Sequence, residues 1–310
     1  MNSFGQLAIR ILILAWGEVA TMRALLLLGW LTTAATFQTY LSNLAGAPPI
    51  PSTRPQAPPA SAPASSPPSG GGVIHAPLPY FAIDQLTEKG PRKGADDGDP
   101  RDATRPLASD GGLASGSWWC SAGGWPSPNL RPTSEMFYVL SGHGMLTNRD
   151  GTRACFGPGD VVVLPKGWSG RWDILVDIHK IWFVHDHPSF DSPGMGDRCY
   201  VIYHKDLAAS TLYDVGPTAL YVTEWAPGES AALCSTAFLT AASNDFSPLA
   251  DAATTRGFHV LEGAFFLTGA DGATATRCVA GDTVLLPRGF TGTVDVLETG
   301  ARALAVRASY

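Results

Sequence analysis

The clearest alternation of apolar and polar positions lies between Glu135 and Val184. Phe137-Tyr-Val-Leu-Ser-Gly142 has the period of two expected of a strand. Asn148-Arg-Asp-Gly151 follows with hairpin-turn chemistry, since Gly tolerates the positive φ such turns need. Gly157-Pro-Gly-Asp160 predicts a second turn, Val161-Val-Val-Leu164 a short strand, and Pro165-Lys-Gly167 a corner. A long strand is predicted from Arg171 to Val184, and no stretch of the core reads as a helix. Short strands punctuated by Gly and Pro point to a sandwich or barrel.

The pattern then recurs. Phe258-His-Val-Leu-Glu-Gly263 repeats Phe137 to Gly142, and Gly281 to Gly289 repeats Gly159 to Gly167. Gly292 and Asp295 repeat Gly170 and Asp173, so the offset is 121 residues (Phe137 to Phe258), becoming 122 (Gly159 to Gly281). So many matches in register imply two copies of one unit, with boundaries expected at 78–190 and 191–310.

Around these copies, Ile74 to Ile83 predicts a strand that begins the first domain, with Pro77 and Pro79 confining it to an edge. Asp84 to Arg105 mixes charge with Gly and Pro and reads as a solvated loop. Ser117-Trp-Trp-Cys120 enters the first barrel, while Tyr200–Tyr203 and Leu220–Trp225 are expected at the corresponding places in the second.

Upstream the composition changes. No charged residue occurs from Ala24 to Thr53, and Ala24–Leu31 is strongly apolar behind Met22-Arg23. Residues 1–47 therefore read as a signal peptide or membrane anchor, with Ala45-Gly-Ala47 as a cleavage candidate that Pro48 disfavours. The expected localisation is exported or membrane-anchored; the alternative is a cytoplasmic protein behind a misassigned start. Residues 48–77 form the expected linker, Pro/Ala/Ser-rich as far as Gly72, too polar to offset its ordering entropy and so a disordered tether.

The 310 residues suffice for two cores, and 45% hydrophobic against 15% charged residues fits a globular body with low-complexity additions. A formal charge of −6 without a Lys/Arg-rich run argues against nucleic acid as a partner. The expected partner is a small-molecule ligand; membrane tethering through the N-terminus and a homodimer are left open. Cysteines 120, 155, 199, 234 and 278 show no C-x-x-C spacing and read mainly as small core residues, while an exported chain leaves disulfide pairing open.

Glu135-x6-Gly142 and Gly159-x5-Pro165-x-Gly167 resemble the two motifs of the cupin superfamily. Gly167-Trp-Ser-Gly-Arg-Trp-Asp173 with Lys180 is similar to cupins related to (S)-ureidoglycine aminohydrolase and the ethanolamine-utilisation proteins. The resemblance implies an all-β chain of two tandem jelly-roll (double-stranded β-helix) barrels. It also implies a divalent metal held by an H-x-H pair, a Glu and a later His. The family frame G-x5-H-x-H-x3-E-x6-G falls on Gly123, Asn129, Arg131, Glu135 and Gly142. Both His positions are replaced, and the late His and Asn positions are Gly170 and Ile174. In the second copy the Glu position is Arg256, the late His is Gly292, and the H-x-H frame falls on Ala250 and Ala252.

An arginine repels a cation, so no cofactor is expected in either copy; the alternative is one divalent metal such as Mn. Alternation from Gly170 places Trp172, Ile174, Val176, Ile178 and Lys180 on the inner face. Glu135 and Lys180 are then the candidate catalytic pair, with structural pairing and ligand binding as competing roles. Asn129, Arg131 and Trp172 are candidate ligand contacts, and Trp118, Trp119 and Trp168 are aromatics that line a pocket or simply pack. The repeat offset carries Lys180 to Arg302, so Arg256 and Arg302 are candidates in the second barrel, either facing an anion or turned to solvent. His185-Asp-His187 reads as a solvated linker pair, His143 as structural, and His259 as outward. The expected function is a small-molecule-binding or scaffold role without catalysis. The alternative is an enzyme resembling (S)-ureidoglycine aminohydrolase.

Overall fold

The computed structural model describes residues 69–70, 72–188, 197–208, 211–214, 218–228, 230–233, 254–270, 272 and 275–309. Expectations for the leader, for most of the tether, and for Cys234, Ala250 and Ala252 lie outside these residues. Among the described residues the regular structure is strand, with three short 3-10 turns at Leu78–Phe81, Ile83–Gln85 and His204–Asp206. None of their helical segments is long and apolar enough to cross a membrane.

Among the described residues, two nine-stranded sheets carry the two copies. Each is centred on a pair of long antiparallel strands, Ser134–Asn148 with Gly170–His185, and Thr255–Gly269 with Gly292–Ala308. Alternation sorts the side chains of each long strand onto two buried faces. In the first copy Phe137 and Val139 join Leu146, Trp168 and Trp172 in a core inside the barrel. The intervening Met136, with Ile181 and Phe183 of the return strand, faces a different core shared with Leu220, Val222, Leu285, Leu304 and Val306 of the second copy. Phe258, Val260 and Phe265 fill the second barrel. The long strands are thus apolar on both faces, and at roughly 1.5–3 kcal/mol per buried large side chain the shared core binds the copies together. Gly257 marks how closely they meet: a Cβ there would lie 2.3 Å from the Phe183 ring.

The outermost strands are exchanged. Of the strand expected at Ile74–Ile83 only residues 74–76 are strand, within Val73–Ala76, because 3-10 turns follow at Leu78–Phe81 and Ile83–Gln85. Val73–Ala76 pairs not with the first copy but with Thr283–Leu286 of the second. Tyr200–Ile202, expected in the second copy, pairs with Val161–Leu164 of the first. Val161–Leu164 and Thr283–Leu286 are completely buried, so both edges of each need a partner, and the segment preceding the other copy supplies it. Each exchanged segment brings a histidine to the aspartate of the preceding turn: His75 Nε2 lies 2.8 Å from Asp282 Oδ2, and the His204 amide donates to Asp160 Oδ1 at 2.9 Å.

Two further expectations change. Asp84–Arg105 is not a plain loop: Thr87–Pro91 and the start of Arg101–Asp110 form an antiparallel pair that extends the first sheet over the barrel mouth. The return strand also breaks register between Ile174 and Lys180, which exposes Leu175 and Val176 (Val176 at 53%) while Trp172, Ile174, Ile178 and Lys180 stay buried. The second copy has one more residue in that break. Lys180 pairs with Val139, whereas Val260, the repeat of Val139, pairs with Ala303. The structural counterpart of Lys180 is therefore Ala303, not Arg302, because a slip of one residue turns every side chain to the other face.

Candidate functional site in the first barrel

Glu135 begins the long strand at the open end of the first barrel, and its alternation with Phe137 and Val139 points it inward. Lys180 reaches it from the facing strand, with Nζ 2.7 Å from Glu135 Oε1. Arg131, four residues before Glu135, donates to Oε2 at 2.7 Å. Both carboxylate oxygens are therefore held by cations. Burial pushes the Glu135 carboxyl up, but Lys180 and Arg131, through charge and hydrogen bonds, hold it below the usual carboxylate range. Burial draws the Lys180 ammonium down, with Arg131 and Arg92 adding to the effect and Glu135 opposing it.

Aromatic rings surround the ammonium. Lys180 Nζ lies 3.8 Å from the Phe137 ring centre, 4.7 Å from that of Trp118 and 4.8 Å from that of Trp172. Trp125 stacks on Trp172 at 6.1 Å and 11°, and the Arg92 guanidinium lies 4.4 Å from the Trp125 ring. Arg92 in turn donates to the buried Asp102 at 2.9 Å, as does Trp118 Nε1. These groups enclose a cavity of about 280 Å³, near the lower edge of the roughly 300–1,000 Å³ of small-molecule sites.

Arg131, Glu135, Trp172 and Lys180 all line this cavity, together with Trp118. Asn129 is exposed and contributes nothing to the lining, because it sits in the turn before the strand rather than on it. Trp168 packs in the core and donates to Asn148 Oδ1, and Trp119 is on the other face. Lys89, Arg92, Trp125 and Trp182 line the cavity unanticipated. The basic residues in Asp84–Arg105 were the available signal, but without the strand pairing nothing in the sequence directs them to the barrel mouth.

In the second copy the pair dissolves. Arg256 is buried inside the barrel, with its charge acting on the buried Tyr221 hydroxyl. Arg302 lies on the outer face, 3.2 Å from both Glu224 and Glu262. His185 and His187 are not a solvated linker pair: both are buried, His185 Nδ1 2.6 Å from Thr218 Oγ1 and His187 Nε2 2.9 Å from Ser134 Oγ. His259 points out of its own barrel but is buried against the first copy, its ring 4.9 Å from that of Tyr138. His143 is exposed. Among the described residues, no three His, Cys, Asp or Glu side chains gather as metal donors would. Cys120, Cys199 and Cys278 are free and buried, Cys155 free and exposed.

A family model described as an EutQ-like cupin domain matches residues 107–182 and 250–303, one stretch in each copy. Protein Ylba from E. coli is similar in structure at 10% identity and a TM-score of 0.53, covering 77% of this chain and 91% of its own. A protein described as glyoxylate induced, from Pseudomonas aeruginosa, is similar at 14% identity and a TM-score of 0.51, covering 81% of this chain and 94% of its own. At such identities the likeness concerns the fold. A comparison with curated proteins gave no match. The internal repeat, the two jelly-roll sheets and the matched stretch in each copy make this chain a bicupin of the RmlC-like cupin superfamily.

Proposed function

We propose that the first barrel is a small-molecule-binding pocket that operates without the divalent metal usual in the superfamily. The observation that carries this reading is the occupation of both Glu135 oxygens by Lys180 and Arg131. The donor set does not fit a divalent ion: the one acidic position of the family frame is neutralised, and Arg131 stands where a His would ligate. The pair takes over the electrostatic place of an ion inside the barrel.

Binding is better supported than acid–base chemistry. A carboxylate held down by two cations is a weak base, so Glu135 is poorly suited to take a proton from a substrate. The test is elemental analysis of protein purified without chelator, with a thermal-shift screen of small polar and aromatic molecules. Substoichiometric Mn, Fe, Ni and Zn with a stabilising hit is the expected result. One full equivalent of metal, lost in Glu135→Ala, overturns the reading.

A further inference from the structure

The cavity has an unbalanced charge. Lys89, Arg92, Arg131 and Lys180 line it, against one lining acid, Glu135. Asp102 lies just behind, 2.9 Å from Arg92 and 3.7 Å from Lys89. Four cations and two carboxylates leave an excess of about two positive charges around a small, partly dry space, where unbalanced charge is costly. Both arginines line the cavity, Arg92 with Nη1 on Asp102 and Arg131 with Nη2 on Glu135. A guanidinium carries five N–H donors in a fixed fork, so two on one cavity suit an anionic acceptor.

The remaining wall is indole. Trp118, Trp125, Trp172 and Trp182 line the same space, and Trp125 is already stacked between Trp172 and Arg92. From these residues we infer that the natural occupant is a small organic oxyanion with a flat unsaturated body. Its charged head lies between Arg92 and Arg131, and its body lies on the indoles; this rests on the pocket reading above. Guanidinium forks suit both carboxylate and phosphate oxygens, so the shared chemistry is a planar-bodied oxyanion. Glu135 and Lys180 do not touch the head directly in this arrangement: Glu135 holds Arg131 in place, and Lys180 neutralises Glu135.

The experiment is a titration of the full chain followed by tryptophan fluorescence and calorimetry, using benzoate, phenylphosphonate, benzamide and acetate as probes. Benzoate or phenylphosphonate should bind at least about tenfold more tightly than neutral benzamide, the worth of one charge-assisted hydrogen bond. Acetate should bind more weakly than benzoate, and binding should weaken as salt is raised. Whichever of the two aromatic oxyanions is tighter identifies the head group. Arg92→Gln should cost the anions about tenfold while leaving benzamide unchanged, which a merely structural loss would not do. Should that variant fail to fold, Lys89→Gln, whose side chain is 51% exposed, should still weaken the anions selectively. Benzamide binding as tightly as benzoate overturns the oxyanion while leaving the pocket, and acetate matching benzoate overturns the flat body. Silence from all four probes in both readouts removes the pocket itself.

Discussion

Lys180 and Glu135 meet inside the first barrel at 2.7 Å, across the two longest strands of its sheet and with both side chains nearly inaccessible to water. Arg131 makes the pair a triad, so the two ends are not equivalent. Glu135→Gln strands two cations and should cost ~3–5 kcal/mol, the usual result of breaking a buried pair. Lys180→Met leaves Glu135 with Arg131 and should cost clearly less. The double variant should recover part of the loss, and urea unfolding of the four proteins measures the coupling. Additive, small effects would mean that the groups do not interact.

Buried histidines predict a pH dependence. Burial draws His179 and His259 down to about 4, and burial with the neighbouring His187 charge does the same to His185. A folded value below the unfolded one means that the unfolded chain binds more protons between the two. Stability is therefore full above the unfolded value of about 6.5 and declines as pH falls towards 4, by ~1.4 kcal/mol per pH unit for each histidine. The Glu135 contribution has the same sign in a lower window: its folded value is depressed, so it persists until pH falls below the usual carboxylate range. Urea midpoints should stay level from pH 7.5 to about 6.5 and fall steadily below it. A flat profile to about pH 5 contradicts the burial of these rings.

Gly142 and Gly167 both have φ near +90°, at +85° and +90°, but only one is crowded. A Cβ on Gly142 would lie 2.1 Å from the Asp177 carbonyl oxygen, whereas nothing lies within 4 Å of one on Gly167. Gly167→Ala should cost only the left-handed penalty, ~1–2 kcal/mol, and Gly142→Ala distinctly more. Equal losses in thermal melts would place the bend at Gly142 elsewhere.

The register of the second barrel can be tested at adjacent residues. Arg302 pairs with exposed carboxylates, so Arg302→Ala should change stability by ~0–1 kcal/mol. Ala303 is wholly buried in the apolar core, and Ala303→Lys would introduce an uncompensated charge there. That variant should be soluble only in traces or severely destabilised. A tolerated Ala303→Lys together with a damaging Arg302→Ala would restore the simple repeat offset.

Strand exchange makes the second barrel depend on residues ahead of the first. A chain beginning at Gly72 retains Val73–Ala76 and should melt like the full chain. One beginning at Leu78 uncovers the edge of Thr283–Leu286 and loses the His75–Asp282 contact, so it should melt lower and aggregate more readily. Identical melts would show that the exchange contributes nothing to stability.

Much of this was legible in one dimension. Period-two alternation at Phe137–Gly142 and Phe258–Gly263, with turn glycines at matching offsets, determined the strands, the repeat and the barrel class, because these depend on local geometry and side-chain periodicity. The Glu135–Lys180 pair was legible too, since both residues stand on strands whose inner face the motif glycines mark. What only the tertiary structure decided was long-range. The sequence shows that Val73–Ala76 and Tyr200–Ile202 are strands but not which edge they complete, as edge choice is settled by where the other copy leaves unpaired backbone. One residue added in a register break turned the expected Arg302 outward and put Ala303 in its place. Arg92 and Lys89 reached the cavity through a strand pair with no hydrophobic signature, since its side chains serve charge and mouth rather than core. Periodicity records which face a residue takes within its own strand; the neighbours across that face are set by register and packing, which no local pattern encodes.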